Sequence, residues 1–264
     1  MAEIIVQGFP YDKKSSFLKG ASKAPPLIRE KLFSPSSNTF AENGVDINNA
    51  GTLDKGDFKI SDYFEIEKIT SKHLDEELRI LTLGGDHSIT FPIVKAFAKI
   101  YPRFDILQID AHTDLYDEFE GDKFSHACPM ARIMEGGFAT HLVQIGIRTL
   151  NTHHREQAKK FGVEVHEMRD FKTENITPFK NPVYISIDLD GFDPAFAPGV
   201  SHPEPGGLSS RQVIDVIHGI NQKIIGADVV EYNPDREIGE LTVVLAAKIM
   251  KEILGKMAEN NSKI

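Results

Sequence analysis

The sequence predicts an α/β fold: three layers, with helices on both faces of a central, mainly parallel sheet. Two observations carry this. Short apolar runs alternate with amphipathic stretches along most of the 264 residues. The apolar runs are rich in Ile, Val and Leu at successive positions, as strands buried on both faces are. Strand–helix–strand alternation then implies parallel crossovers.

The expected strands are Glu3–Gly8, Leu78–Leu83, Phe104–Ile109, His141–Arg148, Val163–Glu167, Pro182–Ile187 and Ile224–Val230. The expected helices are Ser88–Ile100, Pro129–Glu135, His153–Phe161, Ser209–Asn221 and Leu241–Ala258. Ser209-Ser210 ahead of Arg211-Gln212 is a helix start, and Gly162 after Lys159-Lys160-Phe161 a helix stop. Ser34–Leu53 is polar and reads as a surface loop, and Glu259–Ile264 as a frayed end.

Composition narrows the function. Hydrophobic residues at 41% can fill a large core, and a formal net charge of -9 disfavours a nucleic-acid partner. The single cysteine, Cys128, rules out an intramolecular disulfide and fits a reducing, cytoplasmic setting. The first eight residues lack a basic segment ahead of an apolar one, so they read as a strand and not a signal peptide. No apolar run approaches the ~18 residues of a membrane span.

The chemistry lies where strands end. Leu78–Leu83 runs into Gly84-Gly85-Asp86-His87-Ser88, and Phe104–Ile109 into Asp110-Ala111-His112-Thr113-Asp114. Pro182–Ile187 runs into Asp188-Leu189-Asp190-Gly191, and Ile224–Val230 into Glu231. Sites in open α/β sheets form beyond the carboxyl ends of strands. Side chains two apart in a strand point the same way, so Asp110, His112 and Asp114 can aim at one point, as can Asp188 and Asp190. A single strand-end acid is more often a helix cap. Two such arrays, with His87 added, would repel without a positive charge between them. Four carboxylates, two imidazoles and no thiolate suit a pair of manganese ions, with Co, Ni, Fe or Zn as alternatives. Two such ions can share a hydroxide as nucleophile.

At these residues the chain resembles the ureohydrolases, the arginases and agmatinases. Gly-Gly-Asp-His-Ser at 84–88, Asp-Ala-His-Thr-Asp at 110–114, Ser-Ile-Asp-Leu-Asp-Gly-Phe-Asp-Pro-Ala-Phe-Ala-Pro-Gly at 186–199 and Glu231-Tyr232-Asn233-Pro234 carry the likeness. Gly20…Ile28-Arg29 is similar to the family's opening segment, with Ala24-Pro25 where a Gly-Pro is usual. The resemblance implies a single domain over residues 1–264 and the arginase/deacetylase-like fold. It implies one metal on His87, Asp110, Asp114 and Asp188, and a second on His112, Asp110, Asp188 and Asp190. Asp114 would also accept from the hydroxide, His126 would shuttle a proton, and Glu231 would pair with the guanidinium. A homo-trimer or homo-hexamer is implied as well.

The Ser125-His126 context is similar to the agmatinase-like members. Where arginases keep an acid after a Gly-x-Arg strand end, Gly146-Ile147-Arg148 is followed by Thr149-Leu150-Asn151. The loop Leu115–Lys123 holds four acids and one base. The loop reads equally as a solvated acidic loop; acids facing the pocket would favour agmatine, a cationic guanidino substrate hydrolysed to urea and putrescine. Guanidinobutyrate, guanidinopropionate, arginine and formiminoglutamate are the alternatives, followed by a single-zinc deacetylase-like amidohydrolase and a non-catalytic homologue. Asp193 reads as a turn residue and Asp86 as a support for its neighbours. Cys128 reads as a buried small residue, and His153-His154 as a solvated helix start. Gly84-Gly85 lacks the rest of a phosphate-loop signature.

Overall fold

A computed structural model describes residues 4–75 and 78–259. The strands are β1 Ile4–Phe9, β2 Thr52–Asp57, β3 Arg79–Gly84, β4 Asp105–Ile109, β5 His141–Ile147, β6 Glu164–Glu167, β7 Val183–Asp188 and β8 Ile224–Val230. The helices are α1 Ala24–Leu32, α2 Glu65–Leu74, α3 Thr90–Ile100, α4 Pro129–Glu135, α5 Thr152–Phe161, α6 Ser210–Gly219 and α7 Leu241–Glu259. One eight-stranded sheet runs in the order β2-β1-β3-β8-β7-β4-β5-β6, and every ladder in it is parallel.

Alternation along the strands divides the core. Ile4 and Val6 of β1, with Leu107 and Ile109 of β4, pack with α1, α6 and α7 on one face. Ile5 and Ile106 point the other way, into the cluster built with α2, α3, α4 and α5. The two faces make the three-layer α/β/α arrangement that the apolar runs predict. Ser209 caps α6 in a capping box with Gln212, and Gly162, at φ 66°, ends α5 in the left-handed conformation.

Three elements escaped the sequence reading. β2 is an edge strand whose Thr-Leu-Asp-Lys-Gly-Asp sequence has no apolar face. Charge on an edge strand deters pairing with other chains and also hides the strand from a pattern search. α1 opens on Ala24-Pro25-Pro26, where proline in the first turn looks like a loop signal. The third, α2, is amphipathic but polar on average. Ser34–Leu53 is also more than a surface loop. Ala41 and Ile47 are buried, Ile47 opens a short 3-10 turn, and Thr52 begins β2. Residues 1–3 and 260–264, and with them part of the first strand and most of the frayed end, lie outside the described residues. Among those described, no helix is long and apolar enough to cross a membrane.

β3 and β4 follow one another in sequence, yet β8 and β7 lie between them. The carboxyl ends of β3, β8, β7 and β4 are therefore contiguous at the middle of the sheet. Two glycines make the approach tight. A Cβ at Gly191 would lie 2.7 Å from the Asp110 nitrogen, and one at Gly146 2.7 Å from the Asp110 carbonyl oxygen. Only glycine lets those two segments close on the Asp110 backbone.

Candidate metal centre and active site

The expected site residues meet in one place. His112, Asp114, His126, Asp188, Asp190 and Glu231 line a single cavity of about 260 Å³. His87 and Asp110 lie beneath its floor, both almost fully buried. Nδ1 of His87 is 3.1 Å from Asp110, 2.9 Å from Asp114 and 3.2 Å from Asp188. Nδ1 of His112 is 3.0 Å from Asp190 and 3.5 Å from Asp110. Donor atoms converge in two groups that could each hold an ion: His87, Asp110 and Asp114, and Asp110, His112 and Asp190. Asp110 belongs to both.

The backbone is shaped for this. Asp114, at φ 51°, and Glu231, at φ 64°, are two of four non-glycine residues with positive φ among those described. Such conformations persist where the surroundings enforce them, commonly at functional sites. Oδ1 of Asp110 accepts from the His112 N–H at 2.6 Å, and Oδ1 of Asp188 from the Asp190 N–H at 2.8 Å. Each first acid thereby fixes the turn that aims the ligand two residues on.

His87 provides the test for a cation. Asp228, fully buried inside β8, accepts hydrogen bonds from Tyr184 at 2.6 Å, Ser186 at 2.7 Å and Thr90 at 2.9 Å. The Ser186 proton is thus committed to Asp228, and Ser186 Oγ accepts from His87 Nε2 at 2.9 Å. That leaves Nδ1 of a neutral His87 with a lone pair, not a proton, facing three carboxylates. None of the three contacts has hydrogen-bond geometry, and Nδ1 is buried without a partner. A lone pair among carboxylates is satisfied by a positive ion.

Electrostatics agrees. Without an ion the cluster draws protons in its place: burial resists charge on the histidines, yet the carboxylates outweigh it, lifting His87 well above the usual range and His112 up to about 12. Burial first, then Asp110, pushes Asp114 up to about 6. Burial, then Asp190 and Asp110, raises Asp188 well above a normal carboxyl. The cluster lacks positive charge, and its oxygen and imidazole donors fit hard or borderline divalent ions.

Asp228 and Ser186 were not singled out from the sequence. The available signal was one acid inside the otherwise apolar Ile-Ile-Gly-Ala-Asp-Val-Val strand. Asp228→Asn should weaken manganese binding about 10–100-fold by releasing the His87 tautomer. A metal titration that shows unchanged affinity would remove Asp228 from this role.

Glu231 and His126 sit at the cavity side. Glu231 Oε1 accepts from the His87 backbone N–H at 2.9 Å and lies 3.0 Å from His126 Nδ1. His126 Nε2 is 2.8 Å from Ser16 Oγ. Burial opposes charge on His126, but Glu231 outweighs it and pushes the imidazole up to about 9. Glu231 is itself held below its usual range, burial being outweighed by His126. Asp86 accepts from the Lys14 N–H at 2.9 Å and from Ser88 at both the N–H and Oγ, anchoring the segment that carries Ser16. It supports its surroundings as expected.

Two expectations need correction, the pocket-facing acids of the loop and the solvated His154, while Cys128 and Asp193 stand as expected. Of the acidic loop, Tyr116 and Phe119 line the cavity, and none of its four acids does. Asp117 accepts from Gln157 at 2.6 Å, Asp122 pairs with Lys14 at 2.6 Å, and Glu118 and Glu120 face solvent. The loop therefore cannot supply charge to a bound substrate. His154 is not solvated: it is 4% exposed and lines the cavity. His202 also lines it, its ring centroid 5.3 Å from that of His126 and 6.1 Å from that of His112. Cys128 is buried, and burial pushes its thiol up to about 12, so it is no nucleophile. Asp193 accepts from the N–H groups of Ala195, Gly206 and Gly207, as a turn residue does.

Comparison with known proteins agrees with this geometry. The Arginase family model matches residues 2–255. The chain is 44% identical over 274 residues to Arginase 1, mitochondrial, of Arabidopsis thaliana, covering 96% of this chain and 80% of that one. It is 34% identical over 270 residues to N(1)-aminopropylagmatine ureohydrolase of Thermus thermophilus, covering 96% and 90%. The solved arginase from Medicago truncatula superposes with a TM-score of 0.91 at 42% identity, covering 97% and 87%. With its fold, its strand-end acids and these relatives in agreement, the chain belongs to the arginase family, hydrolases that act on guanidino groups.

Proposed function

We propose that this hydrolase converts agmatine and water to putrescine and urea. Two divalent ions, manganese by preference, are held by His87, Asp110, Asp114 and Asp188 and by His112, Asp110, Asp188 and Asp190. Bound there, such ions neutralise the acids and lower the pKa of water, which favours attack on carbon near neutral pH. Asp114 accepts a hydrogen bond from the attacking water. Glu231 uses Oε1 for His87 and His126, which leaves Oε2 for the N–H groups of the guanidinium. His126 stays protonated at neutral pH through Glu231 and supplies a proton to the leaving amine as the C–N bond breaks. The chain works as one domain in a homo-trimer or homo-hexamer.

The observation that carries the choice of agmatine is the cavity lining. Among the described residues it holds four carboxylates and the rings of Tyr116 and Phe119, and no lysine or arginine. Three of those carboxylates go to the ions and Glu231 to the guanidinium, so what favours an ammonium tail there is the ring faces of Tyr116 and Phe119. The α-carboxylate of arginine finds no cationic partner. A second reading, arginine, is favoured by the 44% identity to an arginase against 34% to an agmatine-type ureohydrolase. Urea release by manganese-loaded protein decides between them. We expect kcat/KM for agmatine to exceed that for arginine by about tenfold or more. The reverse order would overturn the agmatine reading and keep the guanidino chemistry. Guanidinobutyrate, guanidinopropionate and formiminoglutamate, the last followed by formamide, complete the comparison.

A further inference from the structure

One stretch of the cavity wall has bonding capacity that the reaction does not use. His154 lies in the first turn of α5, and neither of its ring nitrogens has a partner in hydrogen-bond geometry, although the Thr149 backbone is beside the ring. A buried imidazole left without partners is costly unless something supplies them. Burial first, then His153 and His112, hold its pKa down at about 4, so the ring is neutral and keeps one acceptor nitrogen. The Tyr116 ring packs against it, the ring centroids 4.3 Å apart and the planes at 69°, with His153 stacked on Tyr116 at 5.5 Å. Asn151 braces the pair: its Oδ1 accepts from the His154 N–H at 2.9 Å, and its Nδ2 donates to the Tyr116 hydroxyl at 2.9 Å. Phe119 packs on the same tyrosine at 5.2 Å between centroids. An aromatic face beside a neutral acceptor suits an alkylammonium group.

We propose that His154, backed by Tyr116, receives the ammonium end of the substrate, its imidazole accepting a hydrogen bond while Glu231 holds the guanidinium at the other end. The inference rests on the guanidino-hydrolase reading but not on the choice of agmatine, because agmatine and arginine carry the amino group on the same carbon. His154 is thus a specificity residue at the tail of the cavity.

The test compares substrates with and without that amino group. Manganese-loaded wild type, His154→Leu and His154→Gln are assayed for urea from agmatine and n-butylguanidine, and from arginine and 5-guanidinopentanoate. His154→Leu should lower kcat/KM about tenfold more on the amino member of the better pair than on its des-amino partner, through KM and not kcat. His154→Gln, which restores an acceptor, should recover most of that difference. Equal losses on both members would make His154 a structural residue and overturn the proposal, as would no loss at all. If leucine prevents folding at this position, His154→Asn against His154→Gln gives the same contrast at two acceptor reaches. No urea from wild type on any of the four compounds would remove the hydrolase reading itself, and this inference with it.

Discussion

Asp110→Asn is expected to lower kcat/KM for guanidino hydrolysis by on the order of 10³-fold or more, and to cost the protein bound manganese as well. Asp110 is fully buried and its two oxygens serve two histidine groups, His87 on one side and His112 on the other. It is the one residue common to both sets of converging donors. An amide removes the charge that balances the ions. It also turns an NH₂ toward groups that already donate: Gln108 Nε2 at 2.6 Å from Oδ2 and the His112 N–H at 2.6 Å from Oδ1. The volume barely changes, so the fold should survive, which circular dichroism checks. Urea assay and metal content measured on one preparation test the prediction. Retention of both ions and activity within tenfold of wild type would show that Asp110 does not join the two groups.

Glu231→Gln should cut kcat/KM by a similar factor, about 10³-fold, while leaving the manganese content intact. The contrast with Asp110 is the informative part. Glu231 lies outside both donor groups, and its oxygen takes the His87 N–H, a contact that glutamine can keep. What glutamine loses is the negative charge for a guanidinium and for His126, 3.0 Å away. The proton affinity of His126 should fall with it, because Glu231 is the largest influence raising that affinity. Loss of metal instead of activity would make Glu231 a support for His87 and not a partner of substrate.

Much of this site was legible because it is local. Asp110, His112 and Asp114, like Asp188 and Asp190, sit two apart at the end of a strand, so chain geometry alone groups them. That the four relevant strands are neighbours follows from the β3-β8-β7-β4 order, which sequence implies only through the general rule for open sheets. The reading failed where position depends on distant contacts. His154 belongs to a polar, histidine-rich helix start, yet it is buried and packs against Tyr116 of another loop. For the acids of 117–122 the sequence leaves pocket and solvent both open, and distant contacts decide: Gln157 and Lys14 occupy two of them and solvent the others. Asp228 acts through Ser186 on a neighbouring strand, a partnership that spacing along the chain does not reveal. The same holds for β2, a polar edge strand that tertiary pairing, not pattern, defines.

The most direct test is to load the protein with manganese, count the ions per chain and measure urea from agmatine and arginine on that sample. Two ions per chain and urea from at least one of the two compounds are expected, with activity lost on chelation and regained with manganese. Two ions bound with no urea from either compound, or a single ion with full activity, would contradict the two-ion hydrolase reading.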